Sequence, residues 1–345
     1  MFVIRPIKPQ DLEALRIIAI ESGPGFTSLI DDDAFLKSKI KRSIASFKKE
    51  VKSPGNEGYV LVLEDTESGQ VVGTTAIEAA SGTKTPLYHY HIGTSMHQSE
   101  RLGVESVVKT LTLCNNYMGC TELCSLYLRK GYRRTLSGKL LSKVRFLLLA
   151  QYPERFSDFV IAQMLGRVDE HGTSPFWEWL EKHFIKVDFA KASRMVGVGD
   201  KSFVPELMPR HPIYANLLND AAQETIGRVH EHTEPALGML REEGFNHRGY
   251  VDLFDAGPTL EAPRDSIKSV RESRLYTVNL DSNAIGDSTV IVCTTNLKHF
   301  RAAALDNASL DEDRGMITLP KQAQAQLKAK PGDLVRCIAV NRGTQ

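Results

Sequence analysis

The sequence predicts an α+β fold: a mixed, mostly antiparallel sheet flanked by helices, a helical insertion, and a small C-terminal β-barrel-like domain. Three observations predict it. Residues 58–78 read as a hairpin, with GYVLVLE and QVVGTTAIE on either side of the turn DTESG. The apolar run ELCSLYL (122–128) leads through a basic turn into a helix from Ser137 to Gln151. From about Pro263 the chain becomes a series of short β runs: YTVNL, STVIVCTT, FRAAAL, MITLP and LVRCIAV. With 345 residues and roughly 100–200 per domain, we expect an α+β domain over 1–262, with its insertion at about 172–235, and a β-rich domain over 263–345.

The elements follow in order. A short strand, Phe2 to Arg5, is stopped by Pro6 and Pro9, and Asp11 is placed to cap a helix reaching about Ile20. GPGFTS (23–28) is loop chemistry, and a second helix spans about Asp33 to Glu50. After the hairpin, Tyr88 to Ile92 reads as a strand, while Val104 to Leu113 is β-branched enough to be either strand or helix. Pro153 ends the helix that follows the basic turn, and Phe159 to Leu165 is the next strand. Residues 172–215 carry Trp177, Trp179 and two proline loops, which suits a helical insertion packed on its tryptophans. Pro235 to Glu243 has proline in its first turn and Gly244 at its stop, the asymmetry of a helix. Gly249 to Phe254 reads as a strand, Arg264 to Ser273 as a polar helix, and KPGDLV as a tight turn between a short helix and the last strand.

Composition removes whole classes of function. The 43 Lys+Arg against 42 Asp+Glu leave a net charge of +1, without the cationic excess of a globally basic nucleic-acid binder. At 42% hydrophobic and 25% charged, the chain has ordinary globular composition. Its five cysteines contain no CxxC pair, which suits a reducing compartment and small apolar roles for the thiols. The N-terminus has no apolar signal core, and the run Phe146–Ala150 is far short of a membrane span, so we expect a soluble, cytoplasmic protein. His89-x-His91 and His230-x-His232 lack the cysteine or carboxylate that would complete a zinc pattern, so no metal is expected.

The neutral sum conceals a segregated segment. Between Leu123 and Pro153 lie seven cations, Arg129, Lys130, Arg133, Arg134, Lys139, Lys143 and Arg145, and no acid. Strand, basic glycine-containing turn, helix is the layout of a phosphate cradle, because a helix N-terminus offers free N–H groups and partial positive charge. The competing reading is a solvated cationic face.

The element order resembles the GNAT superfamily of acyl-CoA transferases, whose phosphate turn follows [QR]-x-x-G-x-[GA]. YRRTLSGKLL places Arg133, Ser137 and Gly138 in register, with Leu136 at the first glycine position. A narrower match is closer. GFTSL, GYVLVLED, ELCSLYL, LSKVRF, DEHGTSPFWEWL, ELMPRHPIY, IGRVHEHT and FDAGPTLEA, in order over about residues 3–275, resemble the arginine N-succinyltransferase family. The chain departs from the family pattern at Ile30, Glu231, His232 and Ala256, the last standing where FDGGP has glycine.

That resemblance implies transfer of the succinyl group of succinyl-CoA to the α-amine of L-arginine, the opening step of arginine breakdown. It implies that His230 is the catalytic histidine, serving as acid to the CoA sulfur or base to the amine, with His232 the second choice. It implies CoA contacts at Leu126 and Leu128 in the strand, and at Arg133, Arg134, Ser137, Gly138 and Lys139 in the turn. For the guanidinium we expect a carboxylate, with Asp169, Glu170 or Glu78 the candidates. For the succinyl carboxylate we expect a cation or polar group from Arg145, Lys143 or His211. The resemblance also makes a homo-oligomer, or a heteromer with a paralogous subunit, the expected assembly. Two alternatives stay open: a related transferase acting on ornithine or another amine, and a non-catalytic arginine or CoA sensor.

Overall fold

The structure is a computed structural model and describes every residue except 24, 134, 169–172, 280–285, 287 and 341–345. Strand β1 (Phe2–Pro6) carries Arg5, which is buried and needs counter-charges. Glu64 supplies one, and Asp11 accepts from the guanidinium at 2.7 and 2.9 Å. Asp11 therefore does not cap the first helix. Its carboxylate faces Arg5 and the Lys8 N–H (2.7 Å), and α1 (Leu12–Ser22) starts without a side-chain cap. Helix α2 (Asp33–Lys48) has one, since Asp32 accepts the Phe35 N–H at 2.9 Å.

The predicted hairpin is β2 (Gly58–Asp65) and β3 (Val71–Glu78). The ambiguous stretch after it resolves as a second, longer hairpin, β4 (His89–Ser99) and β5 (Val104–Cys114), paired along its whole length. Its turn needs a left-handed residue, which Gly103 provides at φ +62°. Next come β6 (Thr121–Leu128), α3 (Thr135–Gln151) and β7 (Phe159–Gln163). The insertion is built of α4 (Pro175–Leu180), α5 (Phe189–Gly197), α6 (Phe203–Leu207), a two-residue strand β8 (Ile213–Tyr214) and α7 (Asp220–Thr225). Trp177 is fully buried at its centre, within an apolar cluster that includes Tyr90, Phe176 and Phe254.

Helix α8 (Glu234–Glu242) precedes β9 (Asn246–Val251) and β10 (Pro258–Pro263). Strand β9 ends earlier than its sequence suggests because Asp252 accepts the N–H groups of Phe254 and Asp255, turning the chain. Strand β10 escaped the sequence reading because PTLEAP is bracketed by prolines. Pro258 is tolerated as its first residue, where no ladder donor is required. The polar stretch predicted as a helix condenses to a 3-10 turn and the short α9 (Lys268–Glu272). The remainder is β11 (Arg274–Asn279), β12 (Ser288–Thr294), β13 (Ala302–Asp311), β14 (Met316–Thr318), α10 (Lys321–Leu327) and β15 (Leu334–Ala339).

The main sheet runs β1-β2-β3-β6-β7-β10-β9-β4-β5-β8, and its one parallel pair is β6–β7. Strands β11–β15 close on themselves in the order β12-β15-β11-β14-β13, with β12 also pairing β13: a five-stranded barrel. Among the described residues one backbone bridge, Ile4↔Ala302, links barrel and sheet. Helix α3 does the rest, packing between β3 and β6 on one side and β12 and β13 on the other. That sandwiched position explains why its C-terminal half, FLLLA, is apolar all round. Phe146, Leu147 and Leu149 share one buried cluster with Tyr59 and Val160 of the sheet side and with Ile291, Phe300 and Ile338 of the barrel.

Candidate active site

The site begins where the parallel pair fails. Strands β6 and β7 are paired only at Thr121↔Val160 and Glu122↔Ile161, and diverge beyond. The cause lies in β6: Ser125 adopts φ +51°, and the ladder with β3 slips between Thr74 and Ala76. This is a β-bulge, which bends a strand and re-aims its edge. Ser125 is held in that conformation by Ser28, to whose Oγ its N–H donates (3.2 Å) and to whose carbonyl its Oγ donates (3.3 Å). The wedge between the strands holds a cavity of about 130 Å³, lined by Ser125, Leu126, Arg145, Gln163, Leu165 and Thr233 among others. A cavity of about 350 Å³ adjoins it, sharing Ser28, Glu122, Cys124, Gln163 and Asp252.

The strand residues expected to touch CoA sit at this opening. Leu126 and Leu128 are half-buried with side chains against the main core, and Leu126 lines the wedge. In the basic turn, Arg133 donates through Nε to the Leu128 carbonyl at 3.0 Å, tying the turn to the strand end. Arg129 is committed to Glu21 through Nε and Nη2 at 2.8–3.1 Å. Ser137 is buried in the first turn of α3, and a Cβ on Gly138 would meet nothing within 4 Å, so the helix start is open on that side. Lys139 lies half-buried in the same turn, and Arg134 falls outside the described residues.

His230 is brought to the opposite lip. Its N–H donates to the Leu165 carbonyl (2.9 Å), and Gly166 and Val229 form an antiparallel bridge beside it. Asp255 anchors this arrangement, accepting the N–H groups of Gly166 and Gly257 at 2.8 Å each. A Cβ on Gly166 would lie 2.4 Å from the Asp255 carbonyl, so the close approach requires glycine there. Burial, with Asp252 beside it, holds the Asp255 carboxyl above the usual range. The His230 Nδ1 accepts the His232 N–H at 3.1 Å, which leaves the proton of the neutral ring on Nε2. Burial pushes its pKa down, the neighbouring His232 adds to that, and Glu231 opposes it. His232 itself is exposed. The structure thus separates the two: His230 is a positioned, neutral imidazole, and His232 contributes its backbone.

The acceptor-side candidates fare unevenly. Asp169 and Glu170 lie outside the described residues. Glu78 is already paired with Lys39 (3.3 Å) and Arg42 (2.6 Å). Three acids not named from the sequence line the larger cavity: Glu57, which is paired with Lys49, Glu122, whose Oε2 accepts from Ser81 Oγ at 2.6 Å, and Asp252. Burial raises Glu122 and Asp252, and Lys201, between them electrostatically, is lowered by its own burial. An acid inside the apolar run ELCSLYL was the available signal. Gln163, common to both cavities, is held by the His89 ring at 3.0 Å, and burial drives that histidine down to about 3. Of the cations named for the acyl carboxylate, Lys143 is spent on Glu243 and Ser269, and His211 is exposed. Arg145 lines the wedge. Among the described residues, no cluster of His, Cys, Asp and Glu could hold a metal ion.

Comparison with known proteins gives this geometry a family. The family model described as "Arginine N-succinyltransferase beta subunit" matches residues 2–269, and the model of that family's C-terminal domain matches 274–339. The chain belongs to the arginine N-succinyltransferase family. It is 42% identical to the arginine N-succinyltransferase of Salmonella typhi over 339 residues, covering 98% of this chain and 97% of that protein. The Escherichia coli (strain 55989 / EAEC) protein of the same name matches at the same identity and coverage. Among solved structures, the arginine/ornithine succinyltransferase subunit AI from Pseudomonas aeruginosa superposes with a TM-score of 0.89 at 34% identity, covering 99% of both chains. In this member of the family the bulge at Ser125 opens the wedge, α3 follows the end of β6, and His230 is bonded to the carbonyl of Leu165, which lines the wedge.

Proposed function

We propose that this protein transfers the succinyl group of succinyl-CoA to the α-amino group of L-arginine, giving N2-succinyl-L-arginine and CoA. Family membership supports the reaction, and the observation that carries its placement is the wedge between β6 and β7 with His230 at its lip. The pantetheine arm pairs with the freed edge of β6 at Leu126 and Leu128, as an added strand would. The pyrophosphate rests on the start of α3, at the N–H groups of Ser137, Gly138 and Lys139 with Arg133 near by, where the helix dipole favours anions. The α-ammonium loses one proton to solvent, the amine attacks the thioester carbonyl, the C–S bond breaks, and the second proton released from the nitrogen as the amide forms ends on the departing CoA sulfur. His230 directs its Nε2–H at the sulfur as negative charge develops there. The arginine side chain lies in the larger cavity, where the carboxylates of Glu122 and Asp252 can receive a guanidinium.

The direct test measures CoA thiol release from succinyl-CoA with L-arginine, and mass spectrometry of the product. Absence of arginine-dependent release, with CoA still bound tightly, would replace catalysis by a sensor role. The solved relative named for both arginine and ornithine motivates one competing reading, ornithine as acceptor. A higher kcat/KM for ornithine than for arginine decides for it.

His230 carries its own test. His230→Ala is expected to lower kcat by about 10²–10⁴ with folding intact, and wild-type kcat in that variant would remove the assignment. Protonation at Nδ1 would break the bond from the His232 N–H that orients the ring, and the folded pKa is depressed, so activity is present above that pKa and lost as pH falls through it. We expect the acid limb of the kcat/KM profile below the ordinary histidine value of about 6.5, and absent in His230→Gln.

We also propose residues 1–262 as the catalytic unit, the barrel as a support to it, a cytoplasmic location, and assembly with a second copy or a paralogous subunit. The unsupported outer half of the β4–β5 hairpin, with Met96, Leu102, Val104 and Val107 more than half exposed, is the surface for that assembly.

A further inference from the structure

Arg145 lies on α3, where its side chain is 2% exposed and lines the wedge cavity together with Ser125 and Leu126. Two of its nitrogens are satisfied locally, Nε by the Ser142 carbonyl and Nη2 by Ser142 Oγ, both at 3.0 Å. Among the described residues no carboxylate lies within 4.0 Å of the guanidinium, whereas each of the other three buried Lys and Arg side chains there has one: Arg5 has Asp11 and Glu64, Lys39 has Glu78, and Arg155 has Glu154 at 4.0 Å. Glu243 is near enough to be felt, but Lys143 and the Ser269 N–H and Oγ (2.7 Å each) occupy it. Burial lowers the Arg145 pKa to about 10, which still leaves it charged at neutral pH. An uncompensated buried charge is costly, and a guanidinium cannot shed its proton to escape that cost. It faces a cavity, and the position opposite its free donors is the place for an anion.

Resting on the proposed succinyl transfer, we infer that Arg145 is the receptor for the terminal carboxylate of the acyl group, and so the residue that selects a dicarboxylic acyl-CoA over a monocarboxylic one. Two of the three cations offered by the sequence are excluded by their surroundings: Lys143 is paired, and His211 is exposed. The planar fork of arginine suits a carboxylate arriving end-on along a narrow wedge. With the carboxylate seated on Arg145 at one end and the CoA pyrophosphate held at the start of α3, the thioester is drawn taut past the bulge at Ser125, in reach of the His230 lip.

The test compares succinyl-CoA with butyryl-CoA, a donor with the same four-carbon acyl chain and no carboxylate, using L-arginine as acceptor. If the wild type does not succinylate arginine, the underlying reaction fails before this inference is examined. Given wild-type activity, Arg145→Met is expected to lower the succinyl-to-butyryl ratio of kcat/KM at least about 100-fold, with butyryl transfer kept or raised. Its Tm should not fall, since an unpaired buried charge is replaced by an apolar chain of similar length. Arg145→Lys should fall between the two, keeping charge without the fork. An unchanged ratio in Arg145→Met overturns the inference. So does an equal loss with both donors accompanied by a raised KM for arginine, which would assign Arg145 to the acceptor. Should Arg145→Met not fold, the ratio in Arg145→Lys is read by the same criterion. A wild-type crystal structure with bound succinyl-CoA gives a reading free of variants: a carboxylate more than about 3.2 Å from the guanidinium nitrogens overturns the assignment.

Discussion

Ala256 occupies the left-handed region at φ +52° while its methyl is fully buried. Two effects oppose each other there. Left-handed backbone costs an L-residue about 1–2 kcal/mol relative to glycine, and a buried methyl returns about 0.8 kcal/mol. Ala256→Gly, which restores the family's glycine, is therefore expected to change stability by less than about 1.5 kcal/mol in urea unfolding. Ala256→Val adds a β-branch to the same strained backbone and should destabilise by more than about 2 kcal/mol. Equal stability of the two variants would contradict this account. The neighbouring Asp255 shows what was not legible. FDAGPTLEA is one of the motifs that carry the family resemblance, yet nothing in it tells that the Asp255 carboxylate reaches across to Gly166 and thereby fixes the segment bearing His230. His230 and Leu126 could be proposed from the sequence because each sits in a compact motif. Glu122 and Asp252 could not, because they come to one cavity only when segments far apart in the chain meet.

At the level of elements, the sequence spoke clearly wherever one segment sets its own structure. The β2–β3 hairpin has its turn chemistry in line, and α3 announces its end with Pro153. Segments whose state depends on a distant partner were less readable. Strand β10 is stabilised by β7 and β9, not by its proline-bracketed composition. Residues 104–114 become a strand because β4 lies beside them for eleven residues. The β4–β5 hairpin also supplies a prediction. Its tip is a two-stranded ribbon, marginal in water by itself, and it exposes Met96 and Val107 at paired positions on one face. The double substitution Met96→Ser with Val107→Ser should lower the solution mass measured by light scattering, and leave the fold of the subunit intact by circular dichroism. An unchanged mass in an oligomeric wild type places the interface elsewhere.

Over the whole molecule, sheet and barrel share a core more than they share a backbone connection. Among the described residues a single bridge joins them, but Phe146, Leu147 and Leu149 of α3 are buried in a cluster to which both contribute. A chain ended after Glu272 would lay Phe146, Leu147 and their neighbours open to water at about 25 cal/mol per Å² of apolar surface. Such a chain is expected to be insoluble or molten and to lack CoA binding. A soluble truncated form with the Tm and CoA affinity of the full chain would contradict that. The barrel was legible as a small β-barrel-like unit from its short runs, but its strand order was not, since the β11–β14 and β12–β15 pairings join strands far apart in the chain.

The burial of α3 from both sides also sets a schedule. During synthesis the helix and its basic turn leave the ribosome early, with the sheet face ready to receive them. The second covering, which includes Ile338, is made almost last. Until then the nascent enzyme carries an apolar helix exposed along one side, a segment that a chaperone would hold. The basic turn proposed to hold CoA is therefore firmly seated only once the barrel strands have been released, so a product terminated before them is not expected to bind acyl-CoA and compete with the finished enzyme for it.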